Sequence, residues 1–388
     1  MKIDRRQALG LLGAGAAAGP AGASVIPEVV GATFAHGVAS GDPSTAGAIL
    51  WTRVTPGPNT AHGLSQLVCE VAADPDLAGP LKTYGALTEA GRDWTVKIEA
   101  DGLKPGRDYW YRFRTPDAVS PTGRFRTLPV GKTRDVVLAT VSCALWSSGL
   151  FNAYEALSKE ARLDAVVCLG DYIYEYGAAP NDYGMNVGGA KIGRLPDPPH
   201  ETVTLDDYRR RHAQAKTDPD LQAAHARAAW ICTYDDHEIA NDPWMGGAQN
   251  HNPDKGEGSW ADRKAAALRA FYEWMPIREP KRGRTREQVY RSFRFGDLVA
   301  LHMLESRLLA RAEQLEYDLD DVAGFKARLN DPGRRLLGQA QLDWLKRQLG
   351  AARKAGVAWQ ARGQQVVMAK VQGPDVSSEE HTSELQSD

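Results

Sequence analysis

The residue pattern changes after Pro129, and this change constrains the fold more than any other feature. Short apolar segments, each suited to a buried strand, follow at residues 136–141, 165–169, 230–234 and 298–304. Between and after them lie segments with helical spacing of apolar residues, at 151–157, 205–215, 260–274 and 336–355. Alternation of this kind predicts an α/β domain whose central sheet is covered by helices. We expect a further strand at 364–369.

Upstream of this point the chain has a different character. Short β-rich segments separated by turn residues occur at 48–54, 67–71, 94–98 and 109–113. This pattern predicts a small β-sandwich, and Tyr109 after Gly106 is typical of the tyrosine corner of fibronectin type III-like or immunoglobulin-like domains. A length of 388 residues suits two domains. We therefore predict a β-sandwich at 33–129 and an α/β domain at 134–373.

The N-terminus has the features of an export signal. Arg5 and Arg6 precede an apolar run of small residues at 9–18, and an A-x-A site follows at 21–23. These features predict a twin-arginine signal peptide at 1–23, recognition by the twin-arginine export machinery, and a periplasmic or secreted protein. No later apolar run is long enough to cross a bilayer, so we predict no transmembrane segment in the mature chain.

Charge and cysteine content exclude some classes of protein. A formal net charge of -2 lacks the basic surplus of nucleic-acid-binding proteins, so we expect no sequence-specific nucleic-acid binding. The cysteines are too widely spaced for a zinc knuckle or a dense disulfide framework; they are Cys69, Cys143, Cys168 and Cys232.

Possible metal ligands follow the first two apolar segments of the α/β region. Asp171 comes directly after Gly170, where a strand end would project its carboxylate into the ligand-binding crevice of the sheet. Its two oxygens could bridge two cations. Cys143 could offer a thiolate, although a lone cysteine more often has a structural role. Tyr174 would bind only a strongly Lewis-acidic ion such as ferric iron; otherwise it belongs to an aromatic rim.

A second polar cluster follows the apolar segment 230–234. Asp235, Asp236 and His237 open it, and Asn241 and Asp242 close it. A histidine between carboxylates directly after a buried strand is typical of a functional site rather than of a solvated loop. We predict that Asp235, Asp236 and His237 are catalytic, with His237 contacting a transferring phosphoryl oxygen or a leaving group.

Taken in order, these segments resemble the PhoD-like alkaline phosphatase family of metallophosphatases. The shared motifs are GVASGDP at 37–43, LWTRV at 50–54, Ser142-Cys143, GDYIYEYG at 170–177, DDHEIAND at 235–242 and Glu305-Ser306-Arg307. The resemblance covers about residues 33–373. It implies a β-sandwich followed by an αββα metallophosphatase sandwich. It also implies a secreted phosphoesterase that hydrolyses phosphate monoesters, diesters or both at alkaline pH through a metal-activated water.

The resemblance also implies the metals and their ligands. Cys143 and Tyr174 would bind Fe3+, Asp171 would bridge Fe3+ and Ca2+, and Asn241 or Asp236 would hold Ca2+. The spacing from Asp171 to Tyr174 agrees with the family pattern.

The chain departs from the family pattern at its C-terminal end. The family has a further Asp-x-His motif well beyond the segment 364–369, and this motif is absent here. We therefore expect the α/β domain to be incomplete, and residues 377–388, which have no apolar period, to be a non-native tail. Small phosphate esters, phospholipid diesters and nucleotide diesters are all possible substrates. The alternatives are a phospholipase or phosphodiesterase of the same fold, or an inactive truncated binding or structural module.

Overall fold

The computed structural model describes residues 26–57, 63–179, 186–316 and 320–367. The predicted signal peptide at 1–23 and the predicted tail at 377–388 lie outside these residues. The strands are β1 Val38–Gly41, β2 Ala48–Arg53, β3 Ser65–Ala72, β4 Lys82–Thr88, β5 Thr95–Ala100, β6 Asp108–Arg114, β7 Gly123–Arg126, β8 Leu138–Val141, β9 Ala165–Cys168, β10 Ala229–Cys232, β11 Arg291–Phe295, β12 Val299–Met303 and β13 Trp359–Gly363. The α-helices are α1 Asn152–Ser158, α2 Asn186–Lys191, α3 Leu205–Ala215, α4 Pro219–Arg227, α5 Trp260–Trp274, α6 Val322–Leu329 and α7 Gly338–Lys354.

A six-stranded sheet crosses the boundary that the sequence pattern suggested between residues 129 and 134. Its order is β5-β2-β1-β10-β9-β8. Strand β1 pairs in parallel with β10, where Ser40 lies opposite Ala229. Strands β8, β9 and β10 are parallel to one another. The two chain segments therefore share one sheet. The pattern did not predict this, because β1 is the short sequence VASG, in which only Val38 is of a type enriched in strands.

The N-terminal segment forms two packed sheets. The four-stranded antiparallel sheet β4-β3-β6-β7 packs on the β5-β2-β1 end of the six-stranded sheet. The apolar layer between them includes Leu50, Val96, Phe113 and Phe125. The Tyr109 hydroxyl accepts a hydrogen bond from the Lys104 backbone N–H at 3.0 Å, the contact expected of a tyrosine corner.

The α/β segment is layered around the other end of the same sheet. The three-stranded sheet β11-β12-β13 packs on one face of the six-stranded sheet through residues such as Val167, Ile231 and Met303. Helices α1, α3, α4 and α5 cover the opposite face. Helix α7 packs behind β12 through Ala352, which contacts Ala300. The resulting order is helix, sheet, sheet, helix.

The strand predicted at 364–369 was placed wrongly. Strand β13 ends at Gly363, and the described residues 364–367 are not in a strand. The Gln365 amide donates instead to the Thr233 hydroxyl at 3.0 Å and to the Leu304 carbonyl at 3.1 Å. These bonds fix the chain across the end of the sheet rather than along it.

Helices α3 and α5 have the boundaries that the sequence predicted, because each begins at a strong N-cap. Thr204 and Asp207 form a capping box at α3, and the Ser259 hydroxyl accepts from the Asp262 N–H at α5. Within the described part of the chain, no helix combines the length and apolarity needed to cross a membrane.

Candidate metal centre

Three parallel strands deliver the candidate residues to one edge of the sheet. Strand β8 ends at Val141 just before Cys143, β9 ends at Cys168 just before Asp171, and β10 ends at Cys232 just before the Asp235 cluster. Because neighbouring parallel strands end at the same edge, the loops that follow them meet in one crevice.

Asp171 is the centre of this crevice. One ligand atom each from Asp171, Asp236 and His237 lie within 4.8 Å of one another, close enough to share a metal ion. The Tyr174 hydroxyl donates to Asp171 Oδ2 at 3.2 Å, and the Cys143 thiol lies 3.5 Å from the same oxygen. Asp171 Oδ1 is buried and accepts no hydrogen bond within the described residues. Since a buried carboxylate oxygen normally has a partner, this arrangement fits a bound cation.

The backbone around Asp171 is strained. Cys143 and Asp171 both have left-handed φ angles, of 59° and 55°. Gly170 has φ of 111°, and a Cβ added there would lie 2.2 Å from the backbone nitrogen of Asp235. Only glycine permits so close an approach of the two loops. Strained backbone conformations of this kind occur most often at functional sites, where the surrounding structure holds them in place.

The carboxylate of Glu238 maintains this conformation. It accepts hydrogen bonds from the backbone N–H groups of Asp171 at 3.1 Å, Tyr172 at 2.7 Å and Asp235 at 2.9 Å. Burial and the nearby Asp171 charge raise the pKa of Glu238 well above its usual range. Glu238 therefore joins the loops after β9 and β10, a structural role that the sequence analysis did not assign.

His237 is oriented by a second buried carboxylate. Its Nδ1 lies 2.8 Å from Oε2 of Glu175, which is fully buried. Its Nε2 faces Asp236 Oδ2 at 3.6 Å, and its ring stacks on Tyr174 with centroids 4.2 Å apart. Burial lowers the pKa of His237, but the Glu175 hydrogen bond and the surrounding carboxylates outweigh burial and raise it to about 9. A carboxylate on one imidazole nitrogen is typical of histidines that bind metals or transfer protons through the other.

Arg307 neutralises part of the acidic cluster. Its Nε lies 2.6 Å from Asp235 Oδ1, Nη2 lies 3.4 Å from Asp236 Oδ1, and Nη1 lies 3.3 Å from Asp242 Oδ1. Burial raises the pKa of Asp235 to about 7, although Arg307 opposes the change. Burial also acts to raise the pKa of Asp236, but the positive charges of Arg307 and His237 outweigh burial and lower this pKa. For Asp171, burial and the charge of Asp236 raise the pKa.

The structure separates the predicted site residues into four groups, of which Asn241 is the last. Asp171, Asp236 and His237 form the central group, and Cys143 and Tyr174 contact Asp171. Asp235 faces Arg307.

Asn241 lies at the edge of this arrangement. Its side-chain amide donates to Gln249 Oε1 at 3.0 Å, and its backbone N–H donates to Glu175. The two predicted calcium ligands thus differ in position: Asp236 belongs to the central group, whereas the Asn241 side chain pairs with Gln249.

Glu175 and Arg307 were missed as site residues, although both belong to motifs that the sequence analysis singled out. In GDYIYEYG the signal for Glu175 is a charged residue set between two tyrosines in an otherwise apolar and aromatic segment. For Arg307 the signal is a basic residue soon after the buried strand β12, whereas the loops after β9 and β10 carry the acidic residues Asp171 and Asp235.

Comparison with known proteins shows which family the chain resembles. Residues 138–388 match the PhoD-like phosphatase family, and residues 21–129 match the N-terminal domain of PhoD-like phosphatases. The chain is 35% identical to "Alkaline phosphatase D" of Bacillus subtilis (strain 168) over 389 aligned residues, which span 95% of the chain and 63% of that protein.

A solved structure of the same family also matches the chain. The structure described as "Structure of PhoD" matches with a TM-score of 0.78 and 33% identity, over 92% of this chain and 68% of that one. The purple acid phosphatase PPD1 of yellow lupin (Lupinus luteus) matches with a TM-score of 0.49 and 12% identity, over 89% of this chain and 54% of that one. The chain spans 63% of the length of the Bacillus subtilis protein and 68% of the PhoD structure, and it belongs to the PhoD-like phosphatase family.

Proposed function

We propose that the chain is a metal-dependent phosphoesterase that hydrolyses phosphate monoesters, diesters or both at alkaline pH through a metal-activated water. One observation carries the proposal: Asp171, Asp236 and His237 converge within metal-binding distance, and a buried oxygen of Asp171 has no hydrogen-bond partner among the residues that the structure describes. Membership of the PhoD-like phosphatase family supports the reaction type. The name of the Bacillus subtilis relative, alkaline phosphatase D, supports the alkaline pH.

The proposed metals are Fe3+ and Ca2+. Cys143 and Tyr174 would hold iron, Asp171 would bridge both ions, and Asp236 or Asn241 would hold calcium. The approach of the Tyr174 hydroxyl and the Cys143 thiol to one oxygen of Asp171 supports a shared ion there. Burial and the Asp171 charge raise the pKa of Tyr174 well above its usual range, so only a strongly Lewis-acidic ion would bind it as a phenolate. Bound metals would acidify water and offset charge on the phosphoryl oxygens.

The chain's own residues would position the ester and move the proton. Glu175 holds the His237 ring by its Nδ1, so that Nε2 faces the crevice beside Asp236. In this orientation His237 would contact a phosphoryl oxygen or protonate the leaving group. Asp235 and Asp236 would assist His237 in two ways. Their carboxylates supply negative charge beside it, and they hold the guanidinium of Arg307 in place.

A hydrolysis assay with metal analysis tests this proposal. A chromogenic phosphate monoester and a chromogenic diester would be offered at alkaline pH to the wild-type chain, to Asp171→Asn and to the control Asp343→Asn on α7. We expect Asp171→Asn to lose its metal and at least about 100-fold of its activity, because it removes the bridging carboxylate. Asp343→Asn should match wild type. Equal activity in Asp171→Asn and wild type would refute the proposal.

The identity of the iron ligand has its own readout. A ferric ion bound to a phenolate absorbs visible light, so the iron-loaded chain should be coloured. Tyr174→Phe should lose this absorption band while the protein remains folded. A band of unchanged position and intensity in Tyr174→Phe would exclude Tyr174 as the ligand.

The same assay separates the alternative substrates. Preference for the diester would favour a phosphodiesterase or phospholipase acting on nucleotide or phospholipid diesters. Absence of both metal and hydrolysis in the wild-type chain would favour an inactive binding or structural module.

We also propose an organisation for the chain: a twin-arginine signal peptide at 1–23, a fibronectin type III-like or immunoglobulin-like sandwich at 33–129 and an αββα metallophosphatase domain at 134–373. The tyrosine-corner contact of Tyr109 supports the sandwich. Export to the periplasm or the medium would be tested by cell fractionation. Replacing Arg5 and Arg6 by lysine should retain the protein in the cytoplasm, and unchanged export would refute the twin-arginine route.

A further inference from the structure

Arg307 lies beside the metal centre and is held mainly by carboxylates. Its side chain is 8% exposed, and each of its three nitrogens contacts a different aspartate: Asp235, Asp236 and Asp242. Arg307 Nη2 approaches one oxygen of Asp236, while His237 Nε2 approaches the other. The guanidinium and the imidazole therefore flank the same carboxylate of the Asp171–Asp236–His237 group.

The backbone that carries Arg307 is fixed by a buried anchor. Glu305 accepts hydrogen bonds from the backbone N–H groups of Arg307 at 2.8 Å, Leu308 at 2.6 Å and Leu309 at 3.0 Å. The backbone N–H of Glu305 donates in turn to Gln341 on α7 at 2.8 Å. The guanidinium is thus held in place before any ligand binds, which reduces the entropy lost on binding.

The three carboxylate contacts of Arg307 are unequal. The contact with Asp235 is short, and the Asp235 side chain is only 13% exposed. Asp242 is 46% exposed, and its Oδ1 also accepts from the Gln314 amide at 3.0 Å. A solvent-exposed ion pair contributes little to stability. Breaking the contact between Arg307 Nη1 and Asp242 would therefore cost little free energy, because Gln314 and water remain as partners of Asp242.

We propose that Arg307 binds a non-bridging oxygen of the phosphoryl group at the metal centre, exchanging its Asp242 contact for the anion while Nε stays on Asp235. The proposal rests on the proposed phosphoesterase function and names a substrate-binding residue for it. Nη1 would donate a charge-assisted hydrogen bond to the anion, while the planar guanidinium lets Nε and Nη2 keep their aspartate partners. In this arrangement Asp242 holds the guanidinium edge in the absence of an anion, and Asp235 fixes its plane throughout.

Inorganic phosphate is the probe that tests this role. Its dissociation constant for the metal-loaded chain would be measured by calorimetry and by competitive inhibition of monoester hydrolysis. We expect Arg307→Gln to raise this constant roughly 10- to 100-fold, as for the loss of a charge-assisted hydrogen bond. Metal content should stay at the wild-type value, whereas the thermal midpoint should fall, because Asp235 and Asp236 lose a buried ion-pair partner.

Two further variants sharpen the test. Arg307→Lys should recover only part of the affinity, because an ammonium supplies charge without the planar fork. Asp242→Asn should tighten phosphate binding by about 2- to 5-fold, since it weakens the contact that competes with the anion. The control Arg112→Gln breaks a comparable ion pair with Glu70 in the N-terminal sheet and should leave phosphate binding unchanged.

The outcomes separate this inference from the proposed function. Wild-type hydrolysis with unchanged phosphate affinity in Arg307→Gln would overturn the role of Arg307 alone. Loss of metal from Arg307→Gln would also overturn it, because Arg307 would then act only by supporting the carboxylates. If Arg307→Gln does not fold, Arg307→Lys and Asp242→Asn decide the question. A wild-type chain that neither hydrolyses esters nor binds phosphate would overturn both proposals.

Discussion

Oε2 of Glu175 lies 2.8 Å from Nδ1 of His237, and this carboxylate is completely buried beside the candidate metal centre. Its other oxygen accepts from the Asn241 backbone N–H at 2.6 Å and from the Asn250 amide at 2.7 Å. One carboxylate therefore fixes both the imidazole and the loop that follows it. The position of His237 depends on a residue in the other motif of the site.

Glu175→Gln should lower turnover without releasing the metal. We expect kcat for a chromogenic monoester to fall roughly 10- to 100-fold, as is typical when the carboxylate that orients a site histidine is removed. Glu175→Asp should recover part of the loss. The control Glu70→Gln, in the N-terminal sheet, should keep wild-type kinetics. If Glu175→Gln turned over at the wild-type rate, Glu175 would have no role in orienting His237.

Glu238→Gln should destabilise the fold. Its carboxylate accepts from three backbone N–H groups, and an amide would present a donor to one or more of them. Leaving such groups unsatisfied in a buried position should lower the free energy of unfolding by about 2–4 kcal/mol. Urea denaturation monitored by circular dichroism measures the change. A change below about 0.5 kcal/mol would show that water or relaxation replaces these bonds.

Gly170→Ala should disrupt the contact between the two site loops. The added Cβ would lie 2.2 Å from the Asp235 nitrogen at a φ of 111°, so the backbone must move. We expect the free energy of unfolding to fall by about 3 kcal/mol or more. The control Gly256→Ala has φ of 87° but open space around its Cβ, and it should lower the free energy by only about 1 kcal/mol. Equal losses in the two variants would mean that backbone conformation, not crowding, determines the effect.

Lys216 should make stability depend on pH. Its Nζ is buried, 3.1 Å from the Tyr172 hydroxyl and 3.2 Å from His225 Nε2. Burial lowers its pKa to about 7, against the opposing influence of the Cys232 and Cys168 sulfurs. An unfolded lysine has a pKa near ~10.4, so between these values the unfolded chain binds a proton that the folded chain does not. The free energy of unfolding should therefore rise with pH across this window and fall as pH drops toward 7.

Lys216→Met provides the measurement. Wild type should gain up to about 1.4 kcal/mol per pH unit relative to Lys216→Met between about pH 7 and about pH 10. The neighbouring His36 and His212 do not titrate in this window, because burial lowers their pKa values to about 4 and about 3. The exposed control Lys346→Met should show no such trend. Parallel pH curves for wild type and Lys216→Met would show that Lys216 remains charged in the fold.

The local sequence pattern was enough to locate most elements of the α/β segment. Helices α3 and α5 were predicted to the residue, because capping residues and apolar spacing act within a few residues of each other. Strands β8, β9, β10 and β12 were recognised from their apolar runs, with ends shifted by at most two residues. The short strands β1 and β13 were not located, since their pairing partners rather than their composition make them strands.

By itself, the sequence determined the family and the residue types available for chemistry. The order of the residues alone shows that Asp171 and the Asp235–His237 cluster each follow an apolar segment. Tertiary structure alone decided which of them meet. Glu175 reaches His237 across 62 positions, and Arg307 reaches Asp235 across 72. Such contacts depend on strand order and on the packing of loops from separate strands, which arise from the summed burial of the whole core and not from any local pattern.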